Sequence, residues 1–255
     1  MGKKELKLLE KLIEKFRGVC AENGYTCDGC GGEIFDYPKN RLCKICRDKL
    51  LRPKRVCPKC GRETVADGVC LDCKKIPPSF TRGITPFSYH GYTASLVNRL
   101  KNGNPRLAHF FGEEIAHAFA KTYPLSEMQE KLLILPVPMT ETRLRERGYN
   151  QADEIAKAVK KELSALGYFV ERRTDVFIKS KDTAMQKHMG FSARVENVSG
   201  AYHVHERKFC RARVVLLIDD IMTTGATADV CAKRLFGAGA KEVYFLVATA
   251  LPERK

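Results

Sequence analysis

Three apolar runs in the second half of the chain predict buried strands, at residues 131–138, 214–220 and 242–250. An apolar run without polar alternation is typical of a parallel strand that is covered on both faces. Segments with apolar residues at helical spacing alternate with these strands, at residues 107–123, 150–167 and 226–239. Together they predict an α/β domain whose mostly parallel sheet is covered by helices on both faces.

The first eighty residues follow a different pattern. Apolar side chains at helical spacing predict an amphipathic helix in residues 1–24, which we expect to dock on its own protein rather than on a membrane. Residues 25–78 are poor in apolar side chains and rich in cysteine, and two prolines in KKIPPSF mark a linker after them. The large domain would span residues 79–255 and begin with a strand or hairpin at 82–91 and a short helix at 93–101.

The composition is that of an ordinary globular protein. The chain has 255 residues, 44% of them hydrophobic and 29% charged, which suffices for one good-sized core and a smaller appendage. No apolar run is long enough for a membrane span, and the charged N-terminus lacks the apolar centre of a secretory signal. We therefore expect a cytoplasmic protein without a membrane span.

The net charge of +15 is high. A basic surface attracts polyanions, and nucleic acid is the commonest polyanion in a cytoplasm. The alternative is a charge that serves solubility only, and the charge alone does not decide between the two.

Eight of the eleven cysteines form four Cys-x-x-Cys pairs, and in a reducing compartment such pairs indicate metal binding rather than disulfides. Two pairs complete a tetrahedral zinc site. Glycine follows the first and third pairs, so the segment repeats one unit twice, which favours two sequential sites, although a cross-braced arrangement stays open. The predicted ligands are Cys27, Cys30, Cys43 and Cys46 at one zinc and Cys57, Cys60, Cys70 and Cys73 at the other.

Both zinc ions should be structural, because four thiolates leave no open coordination position for catalysis. About fifty residues contain too few apolar side chains for a core, so metal would supply much of the folding free energy. We therefore expect the ribbon and the large domain each to have its own source of stability.

Two adjacent acids, Asp219 and Asp220, end the apolar run at 214–218, and the turn TTGAT then opens a helix. Ligands of parallel sheets bind beyond the carboxyl ends of the strands. The hydroxyls and N–H groups of the turn, with the helix dipole, would hold a phosphate. The acids would repel that phosphate, so they should face neutral hydroxyls or Mg²⁺. A phosphate at one end and a diol at the other describe a 5-phosphoribosyl group.

The stretch IDDIMTTGAT resembles the phosphoribosyl-pyrophosphate (PRPP) signature of type I phosphoribosyltransferases. Residues 25–250 resemble the ComF family of competence-associated proteins. The matching landmarks are CPKCG at 57–61, PVP at 136–138, RGYNQA at 147–152, and Thr183, Gln186, Arg194 and Asn197. Tyr149 stands where phenylalanine is usual, and LKNGNPRLA at 100–108 departs from the family pattern.

The resemblance implies a type I phosphoribosyltransferase-like domain behind a double zinc ribbon. It implies that Asp219 and Asp220 bind the ribose hydroxyls, directly or through Mg²⁺. It also implies that the 5-phosphate is held by Thr223, Thr224, Gly225, Ala226 and Thr227.

Further contacts are expected from two polar loops. The loop after PVP could meet the pyrophosphate through Arg143, Arg147 and Asn150, since arginine suits that anion, although a basic surface loop is an equal alternative. Gln186, Lys187 and Arg194 could belong to a mobile segment that closes over the ligand.

Three functions are compatible with these features. The favoured one, implied by the resemblance, is a PRPP-binding protein that binds single-stranded DNA, supports DNA uptake in natural transformation, and has protein partners in the uptake or recombination machinery. The alternative is an enzyme that transfers ribose 5-phosphate from PRPP to a nitrogen base, but no catalytic residue or acceptor pocket is recognisable. A PRPP-sensing regulator ranks last, because no helix-turn-helix pattern lies beside the site.

Overall fold

A computed structural model describes residues 26–34, 42–180 and 200–253. The predicted helix of residues 1–24 lies outside the described residues. The chain divides into two compact units, Met1–Asp48 and Lys49–Lys255. The predicted domain boundaries after residues 24 and 78 stay predictions, and the second of them falls inside the second unit.

In the described residues of the first unit, 26–34 and 42–48, the structure has one cysteine knuckle and one short helix. Thr26 and Glu33 form an antiparallel bridge on either side of CDGC. Gly31 has a φ of 75°, which turns the chain back so that the Cys27 N–H donates to the Gly32 carbonyl at 2.7 Å. Helix α1, Lys44–Asp48, follows Cys43 directly.

The second unit begins with the same order of elements. Val56 and Glu63 form the antiparallel bridge around CPKC, and helix α2, Leu71–Lys75, follows Cys70. The repeat seen in the sequence is therefore a repeat of local structure: a knuckle with a glycine turn, then a Cys-x-x-Cys at the start of a short helix.

A parallel sheet forms the centre of the second unit. Its strands are β1 Arg82–Ile84, β2 Phe87–Ser88, β3 Leu132–Pro136, β4 Val170–Arg172, β7 Val214–Met222 and β8 Glu242–Ala250. The order is β1-β8-β7-β3-β4, with β2 also on β8, and every pairing is parallel. This confirms the predicted fold class. The segment at 82–91 is not a hairpin, because β1 and β2 both run parallel to β8 and extend one edge in succession.

An antiparallel pair, β5 Phe177–Lys179 and β6 Tyr202–Val204, lies outside this sheet. The rings of Phe177 and Tyr202 stack across it at 5.7 Å. A short 3₁₀ turn, Arg207–Phe209, follows β6.

Helices cover both faces of the sheet. They are α3 Gly91–Lys101, α4 Leu107–Thr122, α5 Glu141–Arg147, α6 Gln151–Ala165 and α7 Ala226–Gly237. Helices α4 and α6 pack together over one face, where Phe119 of α4 meets Tyr244 of β8. Helix α7 covers the other face, and its buried side chains join those of β7 and β8 in one core. The sequence predicted all of these helices except α5.

The second cysteine cluster belongs to that same core. Cys57, Cys60, Cys70 and Cys73 are buried together with Phe80 and Phe245. The Gly83 N–H donates to the Lys59 carbonyl at 2.8 Å, and the backbones are so close that a Cβ on Gly83 would lie 2.2 Å from the Cys60 carbonyl oxygen. The expectation that this ribbon is stable independently of the sheet is therefore wrong, because the two share buried surface and backbone hydrogen bonds.

Among the helices that the structure describes, none is both long and apolar enough to cross a bilayer.

Candidate functional site

The paired acids lie on β7 just beyond the end of its neighbour β3. Pairing of β3 with β7 ends at Pro136 and Ile218, whereas β8 continues beside β7 as far as Ala250. Strand β7 therefore runs four residues past the point where the apolar pattern ends. Asp219 and Asp220 lie where β7 has no partner on one side, at the carboxyl end of the sheet.

The two carboxyl groups are closely coupled. Asp220 is only 6% exposed, and Asp219 is half-buried. The Asp219 Oδ1 accepts the Asp220 N–H at 2.9 Å. Burial, and after it the neighbouring charge of Asp220, raises the pKa of Asp219 above its usual range. Two acids in this position favour a bound cation or a hydroxyl donor.

Lys101 supplies one positive charge to the site. Its Nζ lies 3.2 Å from the Asp220 Oδ2. Lys101 is the last residue of α3, and Tyr149 fixes that helix end, since its hydroxyl donates to the Leu100 carbonyl and accepts the Gly103 N–H at 3.1 Å. Sequence reasoning noted the segment 100–108 only as a departure from the family pattern, and it missed this lysine.

The hydroxyl-rich turn connects β7 to α7. Gly225 has a φ of 81° and occupies the N-cap position without a side chain. The Thr224 hydroxyl accepts the Ala226 N–H at 3.4 Å, so that amide is already engaged within the turn. Thr223 is exposed, while Thr224 and Thr227 are half-buried. The whole turn lines a small pocket that also reaches Asp219 and Phe245.

The loop after β3 provides the other predicted contacts that the structure describes. Arg143 is half-buried in α5. Burial raises the pKa of Tyr202 above its usual range, and the charge of Arg143 offsets a small part of that shift. Arg147 ends α5 and is exposed. Asn150 caps α6 by accepting the Ala152 N–H at 3.0 Å and donates to the Val137 carbonyl at 3.1 Å, which is a structural role. Gln186, Lys187 and Arg194 lie outside the described residues.

A cleft of about 760 Å³ opens beside this loop. Its walls come from the end of β3, helix α5, the start of α6 and strand β5, and they include Thr140, Glu141, Tyr149, Asn150, Phe177 and Lys179. The sequence did not reveal this cleft, because its walls come from four segments that meet only in the fold.

The cysteines form two clusters, and each cluster consists of two Cys-x-x-Cys pairs that are consecutive in the sequence. The four Sγ atoms of Cys27, Cys30, Cys43 and Cys46 lie within 4.8 Å of one another, and so do those of Cys57, Cys60, Cys70 and Cys73. Each set also receives backbone N–H groups at sulfur, such as Cys43 N–H to Cys27 at 3.2 Å and Cys70 N–H to Cys57 at 3.4 Å. Both clusters can hold a structural zinc ion.

The acidity of the thiols fits this conclusion. Hydrogen bonding from Cys73 lowers the pKa of the Cys60 thiol, and the same bond raises the pKa of Cys73. Burial raises the pKa of Cys70. Once Cys60 is ionised, its charge helps to keep the pKa of Cys70 and of Cys73 high. A cation at the centre is what would allow all four to be thiolates.

Comparison with known proteins shows relatives along most of the chain. The chain is 25% identical over 211 residues to competence protein ComFC of Bacillus subtilis, covering 79% of this chain and 80% of that protein. It is 27% identical over 227 residues to competence protein F of Haemophilus influenzae, covering 86% and 94%. It is 25% identical over 216 residues to the DNA utilization protein YhgH of Escherichia coli K12, covering 82% and 90%. The predicted resemblance to ComF proteins is confirmed. No family model matches the chain.

Solved structures similar in fold to this chain include hypoxanthine phosphoribosyltransferases. The enzyme of Trypanosoma cruzi matches 56% of this chain with 13% identity and a TM-score of 0.36, and the matched part is 64% of that enzyme, less than two thirds of its length. The hypoxanthine-guanine enzyme of Leishmania donovani matches 59% of this chain and 81% of its own, with 11% identity and a TM-score of 0.36.

Proposed function

We propose that this relative of the ComF proteins binds PRPP together with Mg²⁺, binds single-stranded DNA, and supports DNA uptake in natural transformation from a cytoplasmic location. The observation that carries the PRPP proposal is the succession on β7 and α7. Two coupled acids at the carboxyl end of the sheet are followed by a glycine-capped, hydroxyl-rich turn.

Each part of this succession suits one part of the ligand. Asp219 and Asp220 would bind the ribose hydroxyls directly or through Mg²⁺, which when bound would neutralise charge on the acids and the pyrophosphate. The turn from Thr223 to Thr227 would hold the 5-phosphate with hydroxyls, N–H groups and the positive end of α7. Arg143 and Arg147 would meet the pyrophosphate.

The DNA part of the proposal has two supports. The net charge of +15 is suited to a polyanion. The relatives are named for competence and for DNA utilization. Partners in the uptake or recombination machinery would follow from that role.

Calorimetry tests the ligand directly. Titration of PRPP with Mg²⁺ into the protein should give saturable binding, and the double variant Asp219→Asn, Asp220→Asn should abolish it while keeping the fold. Asp67→Asn is a matched control, because Asp67 is an exposed aspartate remote in sequence from the site. Undiminished PRPP affinity in the double variant would refute the assignment.

The cleft of about 760 Å³ favours a second candidate function, an enzyme that transfers ribose 5-phosphate from PRPP to a nitrogen base. This volume is within the range of small-molecule sites, and the cleft begins at Pro136, which is paired with Ile218 directly before the acids. Incubation with PRPP, Mg²⁺ and a panel of bases tests it. Base-dependent release of pyrophosphate would make the enzyme the favoured function.

A further inference from the structure

A buried arginine joins the second cysteine cluster to the hydroxyl-rich turn. Arg62 follows the CPKCG knuckle, and its side chain is only 5% exposed. One guanidinium nitrogen donates to the Asp72 Oδ2 at 2.8 Å, and the other terminal nitrogen donates to the Thr223 carbonyl at 3.1 Å. Within the described part of the chain, Arg62 is the one arginine that is buried.

Both ends of this link belong to functional elements. Asp72 stands between Cys70 and Cys73 in the fourth Cys-x-x-Cys pair, and Arg62 itself is two residues from Cys60. The Cys57 N–H donates to the Arg62 carbonyl at 2.9 Å, which closes the knuckle on the arginine backbone. Thr223 begins the turn that lines the small pocket with Asp219. The position of the guanidinium is therefore set by the cysteine cluster.

The link has an energetic cost. The Arg62 Nε is buried and has no hydrogen-bond partner among the described residues. A buried guanidinium with an unpaired N–H is unfavourable unless its other donors are well placed. The two terminal nitrogens are placed in that way, one on Asp72 and one on Thr223.

We propose that Arg62 is a positioning residue that couples metal occupancy of the second cysteine cluster to the conformation of the turn Thr223–Thr227. This inference rests on the proposed function for its ligand, PRPP, and on the chain's own contacts for the coupling itself. When the cluster releases its metal, the knuckle no longer fixes Arg62, and the Thr223 carbonyl is left without its charged donor. The turn then samples conformations that cannot hold the phosphate.

Coupling between two sites is reciprocal. Metal at the cluster should increase the affinity for PRPP, and PRPP with Mg²⁺ should increase the affinity of the cluster for that metal by the same factor. We expect about a tenfold change in each, which is within the usual range for coupled sites.

Hydrogen exchange tests the coupling without PRPP. The background protein is the full chain with Cys27→Ser and Cys30→Ser. These changes remove two ligands of the first cluster, so that zinc binds at the second cluster alone. With zinc bound, the two amides that anchor the ends of the turn should exchange slowly in this background and about tenfold faster in Arg62→Met. These are the Leu251 N–H, which donates to the Met222 carbonyl, and the Asp229 N–H, which donates to the Gly225 carbonyl, both at 2.9 Å. Removal of zinc should accelerate amide exchange at the turn in the background protein but have little further effect on it in Arg62→Met. Amides of β8 provide the internal reference and should change far less.

Two further variants complete the test. Asp72→Asn weakens the same link from its exposed end and should accelerate the turn even if Arg62→Met folds poorly. Asp67→Asn breaks the exposed Arg55–Asp67 pair of 3.1 Å in the same ribbon and should leave the turn unchanged. A turn that exchanges equally with and without zinc, or that stays protected in both Arg62→Met and Asp72→Asn, would overturn the coupling.

Calorimetry then separates the coupling from the proposed function. PRPP should bind the zinc-bound background protein about tenfold more tightly than Arg62→Met, and should lower the amount of zinc that a chromogenic chelator removes at equilibrium. If PRPP does not bind wild-type protein at all, the proposed function fails, while hydrogen exchange still decides the coupling. If PRPP binds both proteins equally, the coupling fails and the function stands.

Discussion

Lys101 pairs with Asp220 across the candidate site, with Nζ 3.2 Å from Oδ2. One positive charge of the protein therefore stands beside the acids to which we assign Mg²⁺ and the ribose hydroxyls. An ammonium group and a divalent cation on one carboxylate repel each other, so the lysine and Mg²⁺ compete for Asp220. In the bound state the lysine would be free to turn towards the pyrophosphate.

We therefore expect Lys101→Met to bind Mn²⁺, used as a spectroscopic substitute for Mg²⁺, more tightly than wild type in the absence of PRPP. The increase in affinity should be about threefold to tenfold, since the pair is partly screened by solvent. The same variant should bind PRPP with Mg²⁺ more weakly. Electron paramagnetic resonance of free Mn²⁺ measures the first effect, and Lys121→Met, an exposed lysine on α4, is the control. Unchanged or weaker Mn²⁺ binding in Lys101→Met would contradict the competition.

PRPP binding should depend on pH through Asp219. Burial raises the pKa of this carboxyl to about 8, so at pH 7 it holds a proton that a cation or ribose diol displaces. Affinity for PRPP with Mg²⁺ should rise from pH 7 to about pH 8 and then level off. Phosphate groups do not explain a rise in this range, because their second pKa is near 6. Calorimetry in two buffers of different ionisation enthalpy should detect proton release, and binding without it would contradict the assignment.

The Asp219 carboxyl should lower the free energy of unfolding at neutral pH. A group whose pKa is higher in the folded than in the unfolded state loses stability as pH rises through the unfolded pKa, near 4 for aspartate, towards the folded one. Asp219→Asn keeps an acceptor for the Asp220 N–H and cannot ionise, so folding at pH 7 no longer requires the uptake of a proton. It should raise the free energy of unfolding at pH 7 by on the order of 1–2 kcal/mol, and the increase should shrink near pH 4. Denaturant unfolding at the two pH values measures this. A less stable variant at pH 7 would show that the charge is already well solvated.

The sequence predicted the sheet and most helices because their signals are local. Buried parallel strands such as 214–218 are continuous apolar runs, and the acids and turn of the candidate site are contiguous in the chain. The contacts that arise from folding were not predictable in the same way. Lys101 reaches Asp220 across 119 positions of sequence, and Arg62 reaches Thr223 across 161. Neither residue has a local pattern that distinguishes it from a solvated cation.

The prediction that the ribbon is stable independently of the sheet was wrong for a related physical reason. Its few apolar residues predict a module for which metal supplies much of the folding free energy, but the Cys60 backbone lies against Gly83, where a side chain would not fit. Sequence composition counts apolar side chains and does not reveal such close backbone packing.

The two cysteine clusters should accordingly differ in their effect on the sheet. Elemental analysis should find two zinc ions per chain, and about one in either Cys57→Ser or Cys30→Ser. Cys57 is buried in the core of the sheet, so Cys57→Ser should lower the melting temperature of the second unit by several degrees. Cys30 lies in the first unit and is exposed, so Cys30→Ser should leave that transition nearly unchanged. Calorimetry measures the melting temperature of the second unit in both variants, and equal shifts would contradict the expected difference between the clusters.

The basic residues around the second ribbon are our candidates for DNA binding, and the structure describes all of them as exposed. They are Arg52, Lys54, Arg55, Lys74 and Lys75. Two already have carboxylate partners, since Arg52 pairs with Glu114 at 2.8 Å and Arg55 with Asp67 at 3.1 Å. Those two would have to exchange their partners for phosphate, so the three lysines should contribute most of the affinity.

Replacement of all five by glutamine should weaken binding of single-stranded DNA, which we expect to show little sequence preference because no base-reading motif is present. The logarithmic salt dependence should become shallower by about 0.7 for each phosphate that the variant no longer neutralises, while PRPP binding stays unchanged. A control with the same reduction in charge replaces five exposed basic residues elsewhere in the second unit, Lys121, Lys160, Lys161, Lys208 and Arg211. Equal weakening in both variants would mean that net charge alone attracts DNA. If wild-type protein does not retain DNA at about 50 mM salt, where phosphate-driven binding is strong, the charge serves solubility, and the small-molecule enzyme becomes the better proposal.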